Sequence, residues 1–168
     1  VNDLARAQWN DIDVLIMPDG NYAALNEKGR FDNIKDWVNK GGKIIAMENA
    51  VAFLVKMDMG LKFKKDEDSS DKKDPYAPLK KFSDFERDYI SSTTPGSILK
   101  VQLDNSHPLA FGYPDYYYTL KMDDNVYEFI NEGWNVGVIK KDNIVAGFVG
   151  AKLKKKLNDG LVFGVQDV

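Results

Sequence analysis

The sequence predicts an α/β protein built on a mostly parallel central sheet, and three observations predict it. Two short unbroken apolar runs, Val14-Leu15-Ile16-Met17 and Ile44-Ile45-Ala46-Met47, have the composition of strands buried on both faces. A segment of helical spacing follows each run. The links are short and carry turn residues, Pro18-Asp19-Gly20 after the first run and Gly41-Gly42 before the second. Strand, helix, strand, helix with such links is the α/β pattern, and the crossover is expected to be right-handed.

Taken in order, Leu4, Ala7 and Trp9 read as the tail of a helix that delivers the chain into the first strand. A helix in that place implies a further strand upstream. Phe31, Ile34, Trp37 and Val38 share one helical face, and Gly41 is placed to stop that helix in the left-handed conformation. The second strand runs from Lys43 to Met47 and a second helix from Asn49 to about Met57. From Lys64 to Asp74 every residue is polar or charged, four lysines among five acids, so residues 62–78 are predicted as a charged flexible insertion.

Leu79, Phe82, Phe85, Tyr89 and Ile90 recur at helical spacing before the turn Thr94-Pro95-Gly96. Strands are predicted at Ile98 to Leu103 and Tyr116 to Leu120. Asn135 to Ile139 and Ile144 to Val149 read as a hairpin around Lys140-Lys141-Asp142-Asn143. A short basic helix closed by Gly160 and a last strand, Leu161 to Val165, complete the reading. The expectation is a single domain over residues 1–168, cut short at both ends.

Composition excludes several function classes. With 23 basic and 26 acidic residues among 168, the net charge of −3 gives no general basic field for nucleic acid or anionic lipid. The longest apolar run falls far short of the ~20 residues that span a bilayer. No cysteine is present, which excludes disulfides, thiolate metal sites and cysteine nucleophiles together.

Four stretches, "IDVLIMPDGNY", "WVNKGGKIIAMENAVAFL", "NSHPLAFGYPDYYYTL" and "LNDGLVFGVQDV", carry a resemblance. Together they resemble the class I glutamine amidotransferase-like domain, in the version found at the C-terminal end of zinc carboxypeptidases of Bacteroidetes-type bacteria. That resemblance implies a flavodoxin-like three-layer sandwich attached to an upstream peptidase domain of the same chain. It also implies a secreted or periplasmic location, with zinc held only in the separate peptidase domain. Active members of the superfamily place a cysteine on a strand-to-helix elbow, supported by a histidine and an acid. Here the elbow holds Glu48-Asn49, which implies a non-catalytic accessory domain of a zinc metallocarboxypeptidase.

The candidate site residues each carry two readings. Glu48 can be a general base or nucleophile aimed into the cleft, or Glu48 and Asn49 can simply start a helix as cap and first-turn residues. His107, the single histidine, can be the base of a remnant dyad with Glu48, or its ring can hydrogen-bond a loop carbonyl. Asp19 and Gly20 can offer backbone N–H groups to an anion, or form a tight turn. A catalytic zinc site commonly needs three protein ligands, and one histidine without a His-x-x-Glu pattern does not supply them, so no metal is assigned here.

Tyr113, Tyr116, Tyr117 and Tyr118 are expected to divide between core and surface, with exposed rings against a neighbouring domain. Asp123-Asp124 reads as a turn. Two alternatives to the accessory domain stand. One is a small hydrolase using Glu48 and His107; the other is a small-ligand-binding flavodoxin-like module with Asp19, Gly20 and Asn49 at its cleft.

Overall fold

The strands sort into two sheets of opposite character. The structure is a computed structural model that describes residues 7–26, 29, 31–65, 76, 79 and 81–167. They fall into two compact units, one reaching to Leu61 and the other running from Lys62 to Asp167. Each unit has its own hydrophobic core. Leu4 and, of the predicted insertion, residues 66–75, 77 and 78 lie outside the described residues, while 62–65 and 76 are described.

The N-terminal unit contains β1 (Val14–Met17), α1 (Asp32–Asn39), β2 (Lys43–Ala46) and α2 (Asn49–Lys56). β1 and β2 pair in parallel, with Val14 opposite Lys43 and Met17 opposite Ala46. Ile34 of α1 and Ala50 of α2 are fully buried beneath the sheet with Met17, Phe53 and Leu54. α1 ends in a Schellman motif. Gly41, at φ 101°, donates to the Val38 carbonyl at 2.8 Å, and Gly42 donates to Trp37 at 3.1 Å. The Trp37 indole then lies over Gly42 and donates to the Ile12 carbonyl at 2.9 Å, tying the helix to the start of β1.

Among the described residues, only one face of this small sheet is covered. Leu15, Met17, Ile44 and Ala46 pack on the core, while Val14, Ile16, Ile45 and Met47 on the other face are 42% to 61% exposed.

The second unit holds β3 (Gly96–Leu103), β4 (Tyr116–Lys121), β5 (Gly133–Ile139), β6 (Ile144–Phe148) and β7 (Gly160–Gln166), with α3 (Phe85–Ser91) and α4 (Ala151–Leu157). Every pairing among these strands is antiparallel. β3 is central, with β4 along one side, β6 and then β5 sharing the other, and β7 outside β5. Leu99, Val101 and Leu103 alternate inward and pack with Val136, Ile139, Leu153 and Leu157.

The predicted mostly parallel sheet is therefore corrected, and with it the flavodoxin-like three-layer sandwich. The structure has a mixed α/β fold with a five-stranded antiparallel sheet and a separate two-stranded parallel one. The reason lies in the connections. Parallel neighbours need a crossover of a dozen or more residues, usually a helix, and of the links between β3 and β7 only the last contains an α-helix. β3 and β4 also show the in-out alternation of a sheet with one solvated face. The hairpin is corrected too: β5 and β6 follow one another across a short turn, but each pairs with β3 instead of with the other. Among the described residues no helix is long and apolar enough to cross a membrane.

Candidate functional site: the elbow after β2 and its neighbouring cleft

β2 ends with its ladder extended by one bond, the Met47 N–H donating to the Met17 carbonyl at 3.0 Å. The next residue reverses the chain. Glu48 sits at φ 51° and ψ −117°, a conformation that side chains rarely adopt, and its carbonyl accepts from Val51 at 3.0 Å to begin α2. A non-glycine residue held in this way stores strain on the order of 1–3 kcal/mol. A sharp, strained turn from strand to helix is also the backbone of the nucleophile elbow in hydrolytic α/β enzymes.

The groups around the turn do not complete that chemistry. The Glu48 side chain is exposed and makes no capping bond. The Asn49 N–H donates to Asp19 Oδ1 at 3.2 Å. In a hydrolytic elbow, the N–H of the residue after the nucleophile is one of the oxyanion donors. Here it is occupied by a carboxylate, whose negative charge would repel a developing oxyanion. What Asp19 provides is the helix cap that Glu48 does not, from across the sheet ends, where a negative group is favoured by the helix dipole.

Beside the elbow lies a cleft of about 400 Å³, lined chiefly by Gly20, Asn21, Tyr22, Asn49, Phe53 and Lys56. Its floor is aromatic: the buried Tyr22 donates its hydroxyl to the Pro18 carbonyl at 2.6 Å and packs 5.6 Å from Phe53. Burial first, and then the nearby Asp19 carboxylate, push the Tyr22 phenol above its ordinary range. The structure brings Gly20 and Asn49 to this cleft, whereas Glu48 does not line it. Sequence reading missed Asn21, Tyr22 and Lys56. Lys56 was findable, because Asn49, Ala52, Phe53 and Lys56 follow the spacing of one helical face.

His107 belongs to the second unit, just after β3. Its backbone is extended (φ −81°, ψ 138°), as the following Pro108 requires, and Nδ1 accepts from the Leu109 N–H at 3.2 Å. The ring is thus an acceptor within its own loop, and it lies 6.0 Å from Trp134. Upstream, Ser106 donates its hydroxyl and its amide to Asp104 at 2.5 and 3.1 Å, and these bonds, the hydroxyl's first, hold the Asp104 carboxyl below its usual range.

The tyrosines alternate along β4. Tyr116 and Tyr118 are exposed on one face, their rings 5.7 Å apart, while Tyr117 is half-buried and packs 6.0 Å from Phe163. Asp123 accepts from Lys121 at 2.6 Å and from the Asn125 amide at 2.9 Å, closing a turn. Among the described residues no three His, Asp or Glu side chains converge as metal ligands.

In comparisons with known proteins, the chain matches no family model, no curated protein and no solved structure.

Proposed function

We propose that this chain is a non-catalytic accessory domain that packs against, or orients, the catalytic domain of a secreted or periplasmic zinc carboxypeptidase-like protein. The observation that carries the absence of chemistry is the hydrogen bond from the Asn49 amide to Asp19, at the turn where a hydrolytic elbow would receive an oxyanion. A carboxylate at position 48 cannot replace the thiolate that attacks an amide in the amidotransferase reaction. The peptidase context rests on the four resembling stretches, and in this reading the zinc is bound by the peptidase domain. The uncovered apolar face of Val14, Ile16, Ile45 and Met47 is the surface best suited to such packing.

The test is a turnover assay of the purified chain on amide, ester and peptide substrates, with Glu48→Ala measured beside it. Neither protein is expected to exceed the buffer rate. Turnover by the wild type that the substitution removes would overturn the proposal.

A second reading, a small-ligand module, is favoured by the cleft, whose Asn21, Asn49 and Lys56 stand over an aromatic floor. It expects small carboxylates to raise the thermal midpoint and Lys56→Ala to abolish the rise.

A further inference from the structure

The free edge of β4 is unlike a protected sheet edge. The Leu103 amide bonds the Asp115 carbonyl at 2.8 Å, and the register runs without a break from Ser97 opposite Lys121 to Gln102 opposite Tyr116. In an antiparallel ladder, hydrogen-bonded pairs alternate with non-bonded ones. Residues 115, 117, 119 and 121 therefore bond β3. The N–H and C=O groups of Tyr116, Tyr118 and Leu120 point the other way, and among the described residues β4 pairs with no second strand.

Natural edges are guarded by proline, bulges or charge. From Tyr116 to Leu120 this strand has none of them. Tyr116, Tyr118 and Leu120 also share one solvated face, at 36%, 54% and 60% exposure.

We infer that this edge pairs with β4 of a second copy of the chain, antiparallel across a two-fold axis at Tyr118. A two-fold axis perpendicular to the sheet keeps each face on its own side, so only a register centred on a residue is allowed. Centred on Tyr118, the register places Tyr118 against its own counterpart and Tyr116 against the partner's Leu120, twice over. All the outward N–H and C=O groups of the three residues are then satisfied, six bonds in total. Asp115 falls opposite the partner's Lys121 at both ends; Lys121 is already held by Asp123 at 2.6 Å, so the register sets no like charges directly opposite one another. Joining two sheets along a single strand edge buries little area, so the dimer is expected to be reversible, with a dissociation constant on the order of micromolar.

The test is sedimentation of the full chain over a concentration series from low micromolar to millimolar, with variants. The wild type is expected to pass from monomer to dimer. Tyr118→Lys, which sets two like charges face to face, should raise the dissociation constant at least about tenfold. Because the chain has no native cysteine, position can be read directly. Tyr118→Cys should form an oxidised dimer, since opposed residues of a bonded pair lie about 5.5 Å apart at Cα, within disulfide reach. Thr119→Cys, offset from its counterpart, should not. A wild type that stays monomeric throughout overturns the proposal. So does a dimer that Tyr118→Cys fails to cross-link, and this arm decides the matter if Tyr118→Lys does not fold.

Discussion

Glu48 joins two roles that pull its conformation in different directions. The chain needs an abrupt reversal there to begin α2 immediately after β2, and an ordinary side chain resists the φ of 51°. Replacing it with glycine removes that resistance at the expense of a more flexible unfolded chain. Glu48→Gly is therefore expected to stabilise the protein by roughly 1 kcal/mol, and Glu48→Ile to destabilise it, both read from chemical denaturation. If the glycine variant is the less stable one, the turn is not strained. Tyr127 makes a second prediction at this scale. Burial, and then the charge of Asp123, raise its phenol from 10.0 to about 12. A raised phenol binds its proton more tightly when folded, so its contribution is complete below pH 10 and is lost as pH rises from 10 toward 12. Tyr127→Phe is expected to flatten the decline in stability across that window, as followed by circular dichroism.

At the level of elements, the first unit was largely legible. α1 declared itself through the spacing of Phe31, Ile34 and Trp37 and through Gly41, because amphipathic period and cap chemistry are local properties of the chain. The second glycine of that pair was legible only as a turn residue. Its role is steric: a Cβ on Gly42 would stand 2.2 Å from the Trp37 ring. Gly42→Ala should then cost roughly 1–3 kcal/mol and perturb the tryptophan emission spectrum, whereas an unchanged stability and spectrum would show that the ring does not need that space. The helical spacing around α3 is present, with Phe82 in a 3-10 turn just before the helix and Phe85 and Tyr89 within it, yet all three are exposed, because periodicity reports a stripe and not what covers it.

For the molecule as a whole, the strands of the second half were located from sequence but their partners were not. Propensity and alternation mark a strand within its own few residues. Whether its neighbour is parallel depends on what connects the two, and the parallel pairing of the first half does not carry into a second half whose strands, apart from β6 and β7, are linked without an α-helix. The candidate site shows the same limit. Asp19 and Asn49 meet by a hydrogen bond and Gly20 joins Asn49 at the cleft, all within the first unit, while His107 belongs to the second. Because the two cores share no residue, residues 62–167 expressed alone are expected to unfold cooperatively with native-like circular dichroism. A fragment with no folded baseline would mean that the second unit depends on the first.

The half-covered parallel pair of β1 and β2 has a practical corollary. Environment-sensitive dyes that brighten on hydrophobic surfaces report unfolding only when the folded state is dark. With Val14, Ile16, Ile45 and Met47 open to solvent, this protein offers such a dye a resting place before any heat is applied. Its fluorescence melts will start bright and change little, and a label-free readout such as scanning calorimetry is the better way to follow its stability.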